Sequence, residues 1–259
     1  MKKKLLTTIL FIPYLLPAQV KEVSRFQNDH ARQAVVVDEA FIYVIDNAAI
    51  AKLRKQNFEP VASWQDITGT IPHLNSAIII DDTLYCATSN YPEVPMTSSI
   101  EMFTTNPLKH VGNHSFGIFR GSCTWVLRHK GSWWAFFAHY ENRAQSENKG
   151  VEWSSLVRFD DQWREVASWT IPDEILDKLR PYSLSGGIFI NDNQLLTTGH
   201  HEPFVYLLEL PRSGSGLRFV KEIEVPIKGQ GIAYDPWSES FWGIIKSGRE
   251  VIQFKLLWE

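Results

Sequence analysis

The sequence predicts an all-β fold, and three observations carry that expectation: an aromatic-rich composition, apolar runs of strand length, and the repetition of those runs. The 259 residues include 10 Trp, 8 Tyr and 15 Phe against only 3 Met. Pleated sheets bury such large flat side chains readily. Apolar runs bounded by Gly, Asn, Asp and Pro recur throughout residues 19–259, whereas helical periodicity is confined to one segment. With 26 Lys+Arg against 29 Asp+Glu the formal charge is −3. A dedicated nucleic-acid binder would carry a basic face, so no nucleic-acid partner is expected.

The chain opens on Lys2, Lys3 and Lys4, an apolar run over 5–16, then Pro17 and Ala18. A basic start, a short apolar stretch and a small residue form a secretory signal pattern. The run is shorter than the roughly 20 residues a membrane span needs. Residues 1–18 are therefore expected to be a signal peptide, with a secreted or periplasmic domain over 19–259. No later segment reads as a membrane span. Cys86 and Cys123 both lie in strand-like runs and are expected as buried thiols, a disulfide between them being the alternative.

Five segments share a polar or small opening followed by a strand. They begin at His30, His73, Gly121, Ser183 and Gly229. A turn and a second strand follow each, over 41–45, 84–88, 133–138, 195–198 and 241–245. Third strands fit 50–53, 99–103, 155–159, 204–210 and 250–256, and weaker fourth strands fit 61–64, 166–169 and 219–225. The starts lie roughly 40–60 residues apart, the length of a four-stranded propeller blade. The long third unit holds a polar insert over 141–150 and the one helical segment, 172–180, opened by Pro172 and acids and closed by Pro181. The last unit is too short for four strands, and a strand over 20–26 would complete it and close the ring. The expectation is a single β-propeller of five blades closed by its N-terminal strand, with a β-sandwich as the rival.

Propeller topology places the starts of first strands and the ends of second strands on one face around the axis. That rule gathers His30, Arg32, His73, Asn75, Asn90, His114, Tyr140, His201, Gln230 and Arg249 as candidate ligand-binding residues. It places six of the eight histidines on that face, all except His110 and His129. His139-Tyr-Glu141 and His200-His-Glu202 set His and Glu two residues apart, the same side of an extended chain. His139, His200, Glu141 and Glu202 are thus the candidate catalytic residues.

Converging His and carboxylate groups can hold a divalent metal, the one cofactor the pattern suggests. The alternative for each histidine is a hydrogen bond to a neighbouring turn. Imidazole as general base with Arg as anion clamp suits elimination from a uronic sugar. Hydrolysis of a sugar would need two carboxylates, drawn from Asp46, Glu93, Glu141 and Glu202. Trp133, Trp134, Tyr91 and Tyr140 could stack on sugar rings. The expected function is binding, and conditionally processing as a lyase or hydrolase, of a small polar or anionic ligand such as carbohydrate. A non-catalytic scaffold with a protein partner is the alternative.

Gly231-Ile-Ala-Tyr-Asp-Pro236 resembles the blade-opening motif of plant-type glutaminyl cyclases, and virginiamycin-lyase-like propellers have comparable blades. The resemblance implies a secreted five-bladed propeller and matches no activity motif of either family.

Overall fold

The computed structural model describes residues 19–141 and 149–257. The expected signal peptide, residues 1–18, and most of the polar insert lie outside the described residues. Twenty strands form five four-stranded antiparallel sheets. Strand β1 (Gln19–Gln27) opens the chain and belongs to the last sheet. Blade 1 comprises β2 (Ala34–Val37), β3 (Phe41–Asp46), β4 (Ala49–Arg54) and β5 (Pro60–Gln65). Blade 2 comprises β6 (Leu74–Ile80), β7 (Thr83–Ser89), β8 (Ser98–Thr105) and β9 (Leu108–Gly117). Blade 3 holds β10 (Ser122–His129), β11 (Ser132–Ala138), β12 (Ser155–Phe159) and β13 (Glu165–Thr170). Blade 4 holds β14 (Gly186–Phe189), β15 (Gln194–Thr198), β16 (Phe204–Glu209) and β17 (Arg218–Glu224). Blade 5 is built from β18 (Ala233–Asp235), β19 (Ser240–Ile245) and β20 (Glu250–Leu257), and β1 completes it. The all-β, five-bladed propeller read from the repeat is the fold of this chain.

Closure follows from pairing rather than from a crosslink. Strand β1 runs antiparallel to β20 from Val20 opposite Leu256 to Gln27 opposite Glu250. Both chain ends therefore share one sheet, and blade 5 reaches the same four strands as the other blades. A buried ion pair adds a second tie between blades 1 and 5: Lys55 Nζ lies 2.9 Å from Asp235, which is fully buried. The Asp235 carboxylate also accepts hydrogen bonds from Trp242 Nε1 and the Trp237 backbone N–H.

The aromatics fill the spaces between blades. The buried apolar residues fall into five clusters, one at each junction of neighbouring blades. Between blades 3 and 4, Trp125 stacks on Phe136 at 5.5 Å and Tyr206 is buried beside them. Each such side chain contributes about 1.5–3 kcal/mol of transfer free energy. Helix α1 (Asp173–Leu179) caps the same junction by burying Ile175, Leu176 and Leu179, with Asp173 and Glu174 in its first turn and Lys178 in its last. That charge order suits the helix dipole. Cys86 and Cys123 are free and buried in different clusters, with the blade 1–2 and blade 2–3 junctions respectively as their sites. No helix among the described residues is long and apolar enough to cross a membrane.

The inner strands are buried on both faces, whereas the outermost strands alternate between covered and open positions. That contrast explains why fourth strands are weak in the sequence. The one that escaped sequence reading is β9, whose Leu108–Gly117 run is mostly polar.

Candidate functional site

On the axis the inner edges of the blades are laced together. Gly231 N–H donates to the Gln33 carbonyl, and Leu74 N–H to Asn47. Asn75 Nδ2 donates to the Cys123 carbonyl, Thr124 Oγ1 to Leu184, and Gln230 N–H to Gly199. These bonds hold a narrow axial cavity of about 50 Å³, room for a group of a few heavy atoms.

Every blade supplies side chains to this cavity. Blade 1 gives Gln33, blade 2 His73, Asn75, Ser76 and Tyr91, and blade 3 Thr124 and Tyr140. Blade 4 and the link leading to it give Ser185, His200 and Tyr182, and blade 5 gives Gln230 and Lys246. Of the sequence-derived candidates, His73, Asn75, Tyr140, His200 and Gln230 meet here. Gln230 is buried, adopts φ +65°, and donates Nε2 to the His200 carbonyl at 3.0 Å.

Rings line blades 2 to 4 in sequence. His73 and Tyr91 lie 5.4 Å apart, Tyr91 and Tyr140 5.2 Å, and Tyr140 and Tyr182 6.5 Å between centroids. Tyr182 and His200 stack at 4.0 Å with a 10° interplanar angle. Burial, helped by the Lys246 charge and opposed by a hydrogen bond with Asn75, lowers the His73 pKa to about 4. Burial, with the charges of His201, Lys246 and His73, lowers His200 to about 3. Both imidazoles are therefore neutral at pH 7. Burial also pushes the Tyr140 hydroxyl up.

The opposite side, from blades 1 and 5, is cationic. Lys246 lines the cavity, and burial followed by the Arg32 charge holds its ammonium below the usual lysine range. Arg249 acts in the same direction, and Asp46 opposes them. Arg32 Nε lies 3.3 Å and Arg249 Nη1 3.9 Å from Asp46, so two arginines share one carboxylate beside the cavity. Arg32 and Arg249 stand beside the cavity and do not line it.

Several expected site residues lie elsewhere. His114 sits on the outer strand β9, stacked on Trp163 at 5.1 Å, because Asn113-His114 is strand and not a blade-to-blade link. His139 is buried away from the cavity and its Nδ1 has no hydrogen-bond partner. Glu141 pairs with Arg180, and Glu202 lies exposed in the following loop. The His-x-Glu pairs do not project together into the mouth because β11 ends at Ala138 and β15 at Thr198, leaving both tripeptides outside extended strand. Asn90 works on the loop, accepting from Thr97 N–H and donating to the Pro95 carbonyl, which holds Tyr91 in place. His30 is half-buried in a turn, with its N–H on Asn28. His201 is exposed at the rim, its ring 5.1 Å from Tyr182.

The carboxylates considered for hydrolysis, Asp46, Glu93, Glu141 and Glu202, are not cavity residues. Among the described residues no three His, Cys, Asp or Glu side chains come together as a metal site. The donor set of the mouth is amide, hydroxyl, imidazole and ammonium, which fits a polar organic ligand better than a divalent ion. Gln33, Thr124 and Tyr182 were not among the sequence-derived site residues, whereas the end of the last unit's second strand, Lys246 to Arg249, was placed on this face by the repeat. A positional signal marks three of the ring-bearing contributors: Tyr91, Tyr140 and His200 each stand two residues after the end of a second strand.

These features define a five-bladed propeller with a polar axial mouth. No protein-family model matches the chain, and no curated protein matches it. Among solved structures, a glutaminyl cyclase from Myxococcus xanthus superposes with a TM-score of 0.60 at 11% identity, covering 93% of this chain and 97% of that chain. The WD40 repeats of RRP9 give a TM-score of 0.48 at 9% identity over 86% and 79% of the two chains. Hydrazine synthase of Kuenenia stuttgartiensis gives 0.49 at 11% identity over 87% and 71%. At these identities the glutaminyl cyclase likeness shows the fold alone.

Proposed function

We propose that this protein binds a small polar or anionic ligand in the axial mouth, outside the cytoplasm. The observation that carries the reading is the meeting of side chains from all five blades on one cavity, with Lys246 as its cation. Shared contribution from every blade is what a ligand site on a propeller axis requires, since no single sheet could surround a molecule. If the ligand is processed, in a lyase or hydrolase reaction, neutral His73 and His200 are the imidazoles in reach of it, and burial makes both weaker bases than an ordinary histidine. The amino-terminal signal pattern supports export to the periplasm or medium.

Thermal-shift titration of the purified chain with acetate, inorganic phosphate, glucose, glucuronate and an N-terminal-glutamine peptide tests the reading. The last probe is included because the Myxococcus xanthus protein of this fold is a glutaminyl cyclase. A ligand at about 100 times its Kd adds about 2.7 kcal/mol of stability. An anionic probe is expected to raise Tm in the native chain and to lose that effect in Lys246→Met. If no probe shifts Tm, the small-ligand reading fails and the protein-interaction scaffold replaces it.

A further inference from the structure

We propose that the ligand is a carboxylated ring, held with its ring against the tyrosine and histidine side of the mouth and its carboxylate on Lys246. This deepens the small-ligand reading and rests on it. The mouth is divided in two. From blade 2 to blade 4, His73, Tyr91, Tyr140, Tyr182 and His200 form an unbroken succession of ring contacts, none longer than 6.5 Å between centroids. With both imidazoles neutral, this arc carries no formal charge, and it offers faces and edges for C–H or π contacts. From blade 5 and blade 1 come Lys246, Arg249 and Arg32, offset by Asp46.

A neutral sugar would use the first half and leave three cations, Lys246, Arg32 and Arg249, with Asp46 alone to offset them. A simple anion would use the second half and leave the arc of rings without a ligand contact. A ring that bears a carboxylate satisfies both. The cavity volume of about 50 Å³ sets the orientation: it admits a carboxylate-sized group, while the ring stays above it among the side chains of the arc. One ammonium as the cation lining the cavity suits a monoanion better than a phosphate dianion, which calls for more donors. The nearby amides are partly committed, Gln33 Nε2 to Asn47 and Asn75 Nδ2 to Cys123.

Calorimetric titration with D-glucuronate, benzoate, glucose, acetate and inorganic phosphate reads the division directly. Glucuronate or benzoate is expected to bind at least about tenfold more tightly than either acetate or glucose. Tighter glucuronate identifies an acidic sugar, and tighter benzoate an aromatic acid. Lys246→Met should lose about tenfold for the ringed acid. Tyr182→Leu should erase the advantage over acetate without changing acetate binding, and Tyr182→Phe, which keeps the stack on His200, should retain it. If acetate or phosphate binds as tightly as the ringed acids and Tyr182→Leu changes nothing, the carboxylated-ring inference is overturned while the small-ligand reading stands. If none of the five binds, both fall.

Discussion

Blades 3 and 4 close their second strands on the same pattern, His139-Tyr-Glu141 and His200-His-Glu202, yet the structure uses the two differently. In blade 4 the imidazole of His200 lines the axial cavity and stacks on Tyr182. In blade 3 His139 is buried behind the mouth, and Tyr140 is the side chain that reaches the cavity. The difference is one residue of register. Strand β11 runs through Ala138, so His139 is the first residue beyond it, whereas Gly199 intervenes between the end of β15 and His200. In blades 2, 3 and 4 alike it is the second residue past the strand, Tyr91, Tyr140 or His200, that lines the cavity. Matching tripeptides by eye equates the two histidines; matching strand ends equates Tyr140 with His200, and both with Tyr91 of blade 2.

The largest effect that probes this contrast comes from two glycines packed over the histidines. Gly229 has φ +60°, and a Cβ there would stand 2.3 Å from the backbone carbon of His200. Gly121 has φ +99°, and its Cβ would lie 2.7 Å from the Ala138 carbonyl oxygen and 2.9 Å from His139 Nε2. Gly229→Ala is expected to cost about 3 kcal/mol or more, and Gly121→Ala about 2 kcal/mol, measured by urea unfolding. Blade 3 has part of the clash on a side chain, which can give; blade 4 has it all on backbone. An equal loss at the two positions would break the comparison.

A smaller effect is the pH dependence of stability between pH 7.5 and 5.5. The folded-state values of His73 and His200, about 4 and 3, lie below the ordinary 6.5. In that interval the unfolded chain binds more protons than the folded one, so stability rises with pH. The contribution is complete above the unfolded value and is lost as pH falls from about 6.5 towards the folded values. The urea midpoint should therefore drop on acidification to pH 5.5, and His200→Gln should flatten the slope. A slope unchanged in His200→Gln would show that His200 is not held neutral by the mouth.

The smallest stability effect is expected at His139. His139→Leu removes a buried nitrogen without a partner and should change stability by no more than about 1 kcal/mol. It should leave any ligand-induced Tm shift intact, whereas His200→Leu should abolish that shift. The reverse outcome would return His139 to the site and refute the register argument.

Much of the fold was legible in the residues. The first three strands of each blade are buried on both faces or strictly patterned, and their apolar runs mark them within a residue or two. Strand β1 was legible from an arithmetic need, since the fifth unit lacked a strand. Strand β9 was not, because an outer strand needs only one covered face and its Leu108–Gly117 run alternates with polar residues. Missing it displaced His114 from its true place against Trp163 to a blade link. His73, Asn75 and Gln230 were expected near the axis because they open first strands, where the repeat fixes their position, and they line the axial cavity. Tyr182 was not singled out, because its convergence depends on how the link after the helix folds back towards the axis.

By itself the sequence determined the five-fold repeat, the strand order within each blade and the pairing of the chain's two ends. Those features depend on hydrophobic patterning at short range and on the number of strands available to satisfy edges. Only the tertiary structure decided which polar side chains share the mouth. That choice turns on where each strand stops, and strand ends are set by packing between blades, a contact between residues far apart in the chain.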